Sequence, residues 1–439
     1  IEVPNNNSII LKAPVYKKSS PTFNYRMTFY LEGIDKQYCD WHKLNYFMEG
    51  WGLWVHSFKT LLPPDRYFAT HPEYYALVNG KRTPDQLDLT NPDVLRLASE
   101  NLKMMIAANP TAKYWSVSQN DNNNYCQCPN CKKLDDEQGS HQGSLLTFVN
   151  AIAKQFPDKT ISTLAYGYSV TPPKTLKPAG NVMIMITTAK HDRRIPLMST
   201  PNDTFNQDFK KWEILTNNLF VWDYIVGYSH ALSPYPNLYT LKPNIQYFAV
   251  NNASAVFEEG IGAFRGEFSE LKSFLVSELM WNKDIDVNSK IDWFVNNFYG
   301  KAGGPFVLQY IQLLKKNADA SNAKLTPQTS PVDAKNTYLS NNDLNDYKNI
   351  FKKALSAAGN DSVHIKRIMK EYLSVLYAEL EINKPALANG AQKASLNKNY
   401  YLNLLNEWYT DTKITNITNL NESRRKTNDY YQQYLNSIK

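Results

Sequence analysis

Between Phe23 and about Asn282, short strand-like runs alternate with helix-like ones, and this alternation restricts the fold more than any other feature. The strand-like runs are 24–30 (NYRMTFY), 51–57 (WGLWVHS), 86–90 (QLDLT), 113–118 (KYWSVS), 160–167 (TISTLAYG), 181–188 (NVMIMITT), 219–225 (LFVWDYI) and 254–258 (SAVFE). Several are continuous apolar runs, the pattern of strands buried on both faces of a parallel sheet. Helical stripes lie between them. Asn91-Pro92 reads as an N-cap with a first-turn proline, after which Val94, Ala98, Leu102 and Met105 share one face. Leu145, Val149, Ile152 and Phe156 repeat the pattern, as do Phe205, Phe209 and Trp212. Eight strands, each followed by a helix or a helix-length loop, predict an α/β fold of the (β/α)8 TIM-barrel kind. An open doubly wound sheet is the alternative, but no glycine-rich nucleotide fingerprint follows any strand.

From about Lys283 the strand signals stop, and helical periodicity fills 305–315, 341–357, 362–384 and 396–436. The division expected is therefore a lead-in at 1–22, a barrel over 23–282 and an all-α helical bundle over 283–439. The chain opens on Ile1 and shows no signal-peptide pattern; a removed targeting segment or a start within a longer protein would account for both. No run of about 18 apolar residues is present, so no membrane-spanning helix is expected. The net charge of +7 is scattered without a basic block, which argues against nucleic acid as a partner. With 29 Tyr, 19 Phe and 9 Trp the chain is rich in aromatic residues. Core packing accounts for many of them. Sugar-binding clefts are the other use, because the C–H face of a pyranose stacks on a flat ring.

In a barrel of this kind the chemistry gathers at the C-terminal ends of the strands. Glycoside hydrolysis commonly needs two carboxyl groups there. Asp121, just beyond the fourth strand, is the first candidate for the acid, with Asp223 and Glu258 as candidate partners. Hydrogen-bonded scaffolding or helix capping is the other role open to each. Asn120, His56, Trp54, Tyr166, Trp222 and Tyr224 are candidates to bind a carbohydrate. Arg193, in the run Lys190-His191-Asp192-Arg193-Arg194, either pairs with an acidic sugar group or belongs to a solvated loop. No cofactor is required for this chemistry. Cys126-x-Cys128-Pro-x-Cys131 has the spacing of a zinc knuckle, with Cys39 or His141 as the fourth ligand of a structural zinc. A disulfide within the run, or free thiols, are the alternatives.

At these residues the sequence resembles a bacterial family known as domain of unknown function 4838. The stretches that carry it include Tyr67-Phe68-Ala69-Thr70-His71-Pro72-Glu73-Tyr74-Tyr75, Ser116-Val117-Ser118-Gln119-Asn120-Asp121-Asn122 and the cysteine run. That family is in turn distantly similar to family 20 hexosaminidases and α-glucuronidases. The resemblance implies a barrel, a small upstream α/β domain of which 1–22 would be the remnant, and a periplasmic or extracellular protein of glycan breakdown. One departure stands out. Hexosaminidases carry adjacent Asp and Glu after the fourth strand, whereas this chain has Asn120-Asp121, which puts acetamide-assisted chemistry in doubt. The function expected is a glycoside hydrolase, or else a non-catalytic glycan-binding protein on the same fold.

Overall fold

The computed structural model describes residues 18–189, 191–201, 203–388 and 397–438. Most of the expected lead-in, and Lys190, fall outside them. Nine strands are described: β1 (Tyr25–Thr28), β2 (Trp51–Leu53), β3 (Tyr75–Val78), β4 (Lys81–Leu87), β5 (Tyr114–Ser116), β6 (Thr160–Ala165), β7 (Val182–Thr187), β8 (Leu219–Tyr224) and β9 (Ala253–Glu259). Seven of them form one sheet in the order β1-β9-β8-β7-β6-β5-β2, and every pairing in it is parallel. Helices alternate with these strands, so the mixed α/β architecture is as expected, with seven parallel strands rather than eight.

The difference lies at the expected third strand, 86–90. Residues 81–87 pair instead with β3 as a separate antiparallel hairpin. The local chemistry accounts for this. Asn79 and Gly80 both take positive φ, 48° and 77°, which suits a tight hairpin turn. Pro84 lacks the N–H that a central strand must donate.

The sheet curls until its two edge strands face each other. No ladder joins β1 to β2 among the described residues, and side chains close the seam. Trp51 Nε1 donates to the Tyr25 hydroxyl (3.1 Å), which donates to the Glu49 carbonyl (3.0 Å). The Arg26 N–H donates to Asn45 Oδ1 (3.0 Å), and the Asn45 N–H returns a bond to the Arg26 carbonyl (2.8 Å). Inside the curl, the Tyr25 ring meets Tyr114 of β5 at 5.3 Å and Phe220 of β8 at 6.0 Å. Successive strand residues point to opposite faces. Phe220, Trp222, Ala255 and Phe257 therefore share the inner cluster, while Leu219, Val221 and Val256 pack outward against the helices.

The expected helical signals have their partners. Asn91 Oδ1 accepts the N–H groups of Asp93 (2.9 Å) and Val94 (3.4 Å), and Val94, Ala98 and Leu102 are buried beneath that helix. Gly52 in β2 is needed for a steric reason. A Cβ there would lie 2.3 Å from the buried Trp115 ring. Gly52→Val should accordingly cost about 1–3 kcal/mol through overpacking, read as a lowered urea midpoint.

Beyond β9 the described regular structure is helical, apart from one isolated bridge between Asn419 and Lys426. Ser362–Ala388 is the central helix of this part, and residues 371–380 are buried on every side. Two of its buried carboxylates are hydrogen-bonded. Glu371 accepts from the Phe268 N–H (2.9 Å) and the Tyr299 hydroxyl (2.8 Å), and Glu379 accepts from Lys348 (2.7 Å). The expected helical stretch 396–436 is two helices, Lys398–Thr415 and Thr427–Ile438. Asn416 breaks it by adopting a left-handed conformation, φ 60°. The loop so created folds back onto the barrel: the Ala231 N–H donates to the Leu420 carbonyl (2.9 Å), and the Glu422 N–H to the Tyr228 carbonyl (3.1 Å).

Candidate active site

The C-terminal ends of β5, β6, β8 and β9 share one mouth. Strand alternation decides which side chains reach it. In β8, Trp222 and Tyr224 face inward while Asp223 faces outward. In β9, Phe257 and Glu259 face inward while Glu258 faces outward, in register with Asp223.

The structure thus brings Asp223 and Glu258 together on the outer face, away from the Trp222–Tyr224 side. Arg193 joins them there: its Nη1 donates to Asp223 (2.6 Å) and its Nη2 to the Thr188 hydroxyl (2.7 Å). All three residues are buried, and the Arg193 backbone is bound at both ends, its N–H to Leu325 and its carbonyl to Thr240. Burial drives the Glu258 carboxyl well above the usual carboxylate range; Asp223 adds to this and Arg193 opposes it. Arg193 and Asp223 are hydrogen-bonded to each other, whereas both Glu258 carboxylate oxygens are buried without a hydrogen-bond partner.

Glu259, the next residue, lies on the Trp222 side. It is 8% exposed and accepts a hydrogen bond from the Trp222 indole N–H. Its carboxyl is pushed up to about 7, chiefly by burial and in part by the charge of Glu422; its polar neighbours Tyr228 and Trp222 pull the other way. A carboxyl at that value is poised to carry a proton near neutral pH. Asp121 lies exposed on the mouth's rim and acts on the Tyr166 hydroxyl. Burial is the main cause raising the Tyr166 pKa, and the charges of Asp121, Glu259 and Glu422 all add to it.

Aromatic rings line the same space. Trp222 and Tyr224 stack at 6.2 Å, Trp54 sits 5.7 Å from Trp222, and all three are half-buried. His56 has φ 57°, an uncommon conformation for a residue with a side chain, and its ring meets Tyr166 edge-on at 6.0 Å. Its Nδ1 lies 2.8 Å from the Gln119 carbonyl oxygen. Asn120 is committed elsewhere. Its amide donates to the Asp85 carbonyl (2.6 Å) and accepts from the Lys59 N–H (3.2 Å), so it ties the loop to the hairpin. Beside Asp121 a cleft of about 740 Å³ opens, bordered also by Tyr166, Tyr168, His191, Asp203 and Lys324.

The cysteine run gathers as expected, but its fourth neighbour is Asp88. Cys39 is buried apart from it, its sulfur 3.3 Å from the Gly33 carbonyl. His141 pairs with Asp135 (2.8 Å).

Residues 1–312 match the family described as domain of unknown function DUF4838. The chain belongs to that family. Lys324 and Glu422 lie beyond the matched residues. The sequence has no match among curated proteins. Among solved structures it is similar to a GH138 enzyme targeting pectin rhamnogalacturonan II, with 10% identity and a TM-score of 0.38 over 95% of this chain and 67% of that one. It is similar to CpGH84B with 11% identity and a TM-score of 0.37 over 96% of this chain and 78% of that one. A chitobiase of Flavobacterium johnsoniae is similar with 10% identity and a TM-score of 0.32, over 80% and 60% of the two chains. No helix among the described residues is long and apolar enough to cross a membrane.

Proposed function

We propose that the mouth of the curled sheet binds a glycan and hydrolyses a glycosidic bond in it. Glu259 acts as the proton donor to the leaving oxygen, and Asp121 as the second carboxyl group, which stabilises positive charge at the sugar or activates water. The observation that carries this reading is Glu259. It is an almost fully buried carboxyl, held near 7, at the inner end of β9 among half-buried aromatic rings. Two carboxyl groups in unlike environments are the usual means of dividing acid from base at one pH. Trp54, Trp222, Tyr166 and Tyr224 offer ring faces for sugar C–H groups, and the Trp54 N–H and the two tyrosine hydroxyls can bond sugar hydroxyls.

The test is an oligosaccharide panel assayed for new reducing ends, with wild type beside Asp121→Asn. Asp121 is exposed, so the variant should fold with unchanged stability and bind glycan about as well. Its turnover should fall by about 10²-fold or more. A wild type that binds a panel member without cleaving it would instead be a glycan-binding protein. An Asp121→Asn variant with full activity would remove Asp121 from the mechanism.

A further inference from the structure

The hairpin and the loop after β5 meet at four buried groups. One ligating atom from each of Asp88, Cys126, Cys128 and Cys131 lies within 4.8 Å of the others. The Cys128 and Cys131 sulfurs each stand 3.5 Å from Asp88 Oδ1. With metal–sulfur bonds near 2.3 Å and metal–oxygen bonds near 2.0 Å, a regular tetrahedron has a sulfur–oxygen edge of about 3.5 Å. The two sulfur–oxygen edges that Asp88 makes with Cys128 and Cys131 therefore already match a mononuclear coordination sphere.

We infer that Asp88, Cys126, Cys128 and Cys131 bind one zinc ion in a closed, structural site. Three soft thiolates and a single carboxylate oxygen suit a tetrahedral zinc ion; magnesium and calcium prefer all-oxygen shells. A disulfide would employ two of the three sulfurs and leave the third unpaired. The surroundings are those of thiolate ligands. The Leu77 N–H points at the Cys126 sulfur (3.4 Å), and the Cys131 N–H at the Cys128 sulfur (3.5 Å). Arg82 donates to the other Asp88 oxygen (2.8 Å), which orients the carboxylate and offsets the negative charge of the ligand set. Metal binding would release the thiol protons to solvent, with no change of oxidation state.

Such a site pins the hairpin to the loop carrying Asp121. The same two segments already share polar contacts, from Gln86 Nε2 to the Asn120 carbonyl (2.8 Å) and from Asn124 to Asp85 (2.9 Å). The metal would thereby hold the rim of the mouth without touching what binds there, and its presence does not depend on the mouth being catalytic.

The experiment is elemental analysis of the whole chain purified without chelator and equilibrated with zinc. One zinc per chain is expected, and cobalt(II) in its place should show the intense visible bands of a tetrahedral thiolate site. Cys39→Ser should keep the full zinc content. Cys131→Ala and Asp88→Ala should weaken zinc binding by more than about 100-fold. Arg82→Met, which leaves all four ligands in place, should weaken it by about 10–100-fold and serves if a ligand variant fails to fold. Wild type that takes up no stoichiometric zinc, or alkylation of the denatured protein revealing a disulfide among the three cysteines, would overturn the proposal. Zinc affinity unchanged in both Asp88→Ala and Arg82→Met would remove Asp88 from the site.

Discussion

Glu259→Gln should abolish turnover while making the protein more stable at alkaline pH. The two effects share one cause. In the fold the Glu259 carboxyl sits at about 7, against an ordinary value of 4.5. A proton is therefore bound more tightly in the folded chain than in the unfolded one. The resulting stability is fully present below about 4.5 and is lost as pH rises through about 7. Above that, the wild type holds a buried negative charge that Gln does not. The displacement corresponds to about 3 kcal/mol at most, so the variant should gain up to that amount at pH near 8 and nothing near pH 4. Urea unfolding at the two pH values measures it. Activity should fall by about 10²–10⁴-fold, and wild-type kcat/KM should decline as pH rises through about 7, because the donor loses its proton. A variant that is active, or one no more stable at pH 8 than the wild type, would return Glu259 to an ordinary structural role.

Arg193→Met should be among the most damaging substitutions in the barrel. Arg193 is 1% exposed and bonds both Asp223 and Thr188. Glu258 stands in the same pocket of charge with neither carboxylate oxygen hydrogen-bonded. Removing the guanidinium leaves a buried carboxylate without its cation, which costs about 3–5 kcal/mol. Denaturant unfolding should show that loss in the absence of any glycan. Weakened glycan binding with stability preserved would mean that Arg193 faces a ligand, as the sequence allowed. Asp121→Asn is the contrasting case, since an exposed carboxylate loses little on neutralisation.

Periodicity made much of the fold legible. Alternating apolar strands and one-sided helices led to a parallel sheet wrapped by helices, and the loss of strand signal after Lys283 led to the helical part. Residues 86–90 were read as the third strand, but the strand found there is Lys81–Leu87, and it belongs to the hairpin. Two local signals pointed the other way, the Asn79-Gly80 turn and Pro84. The site was harder. Asp121, Tyr166, Trp222 and Tyr224 were singled out by asking what lies at strand ends; in the fold Trp222 stacks on Tyr224 and Asp121 stands beside Tyr166. Glu258 and Glu259 are adjacent carboxylates at the end of one strand. The choice between them rests on a single step of alternation, because a shift of one residue moves a side chain to the opposite face.

The sequence by itself determined the order and kind of the elements and which strand ends would carry polar groups. These are properties of short stretches, set by side-chain period, capping and turn residues. Only the tertiary structure decided which groups act together. The Asp223–Arg193 pair spans 30 residues, Trp222 reaches Glu259 across 37, and Glu422 arrives from a loop between two helices that the periodicity had joined into one. Asp88 reaches Cys128 and Cys131 from the hairpin that was taken for a barrel strand. Such meetings depend on how the sheet curls and where a loop folds back, which no local run of residues encodes. The Glu259 carboxyl near 7 exists only because burial and its neighbours' charges are assembled together, so its proton affinity belongs to the folded chain.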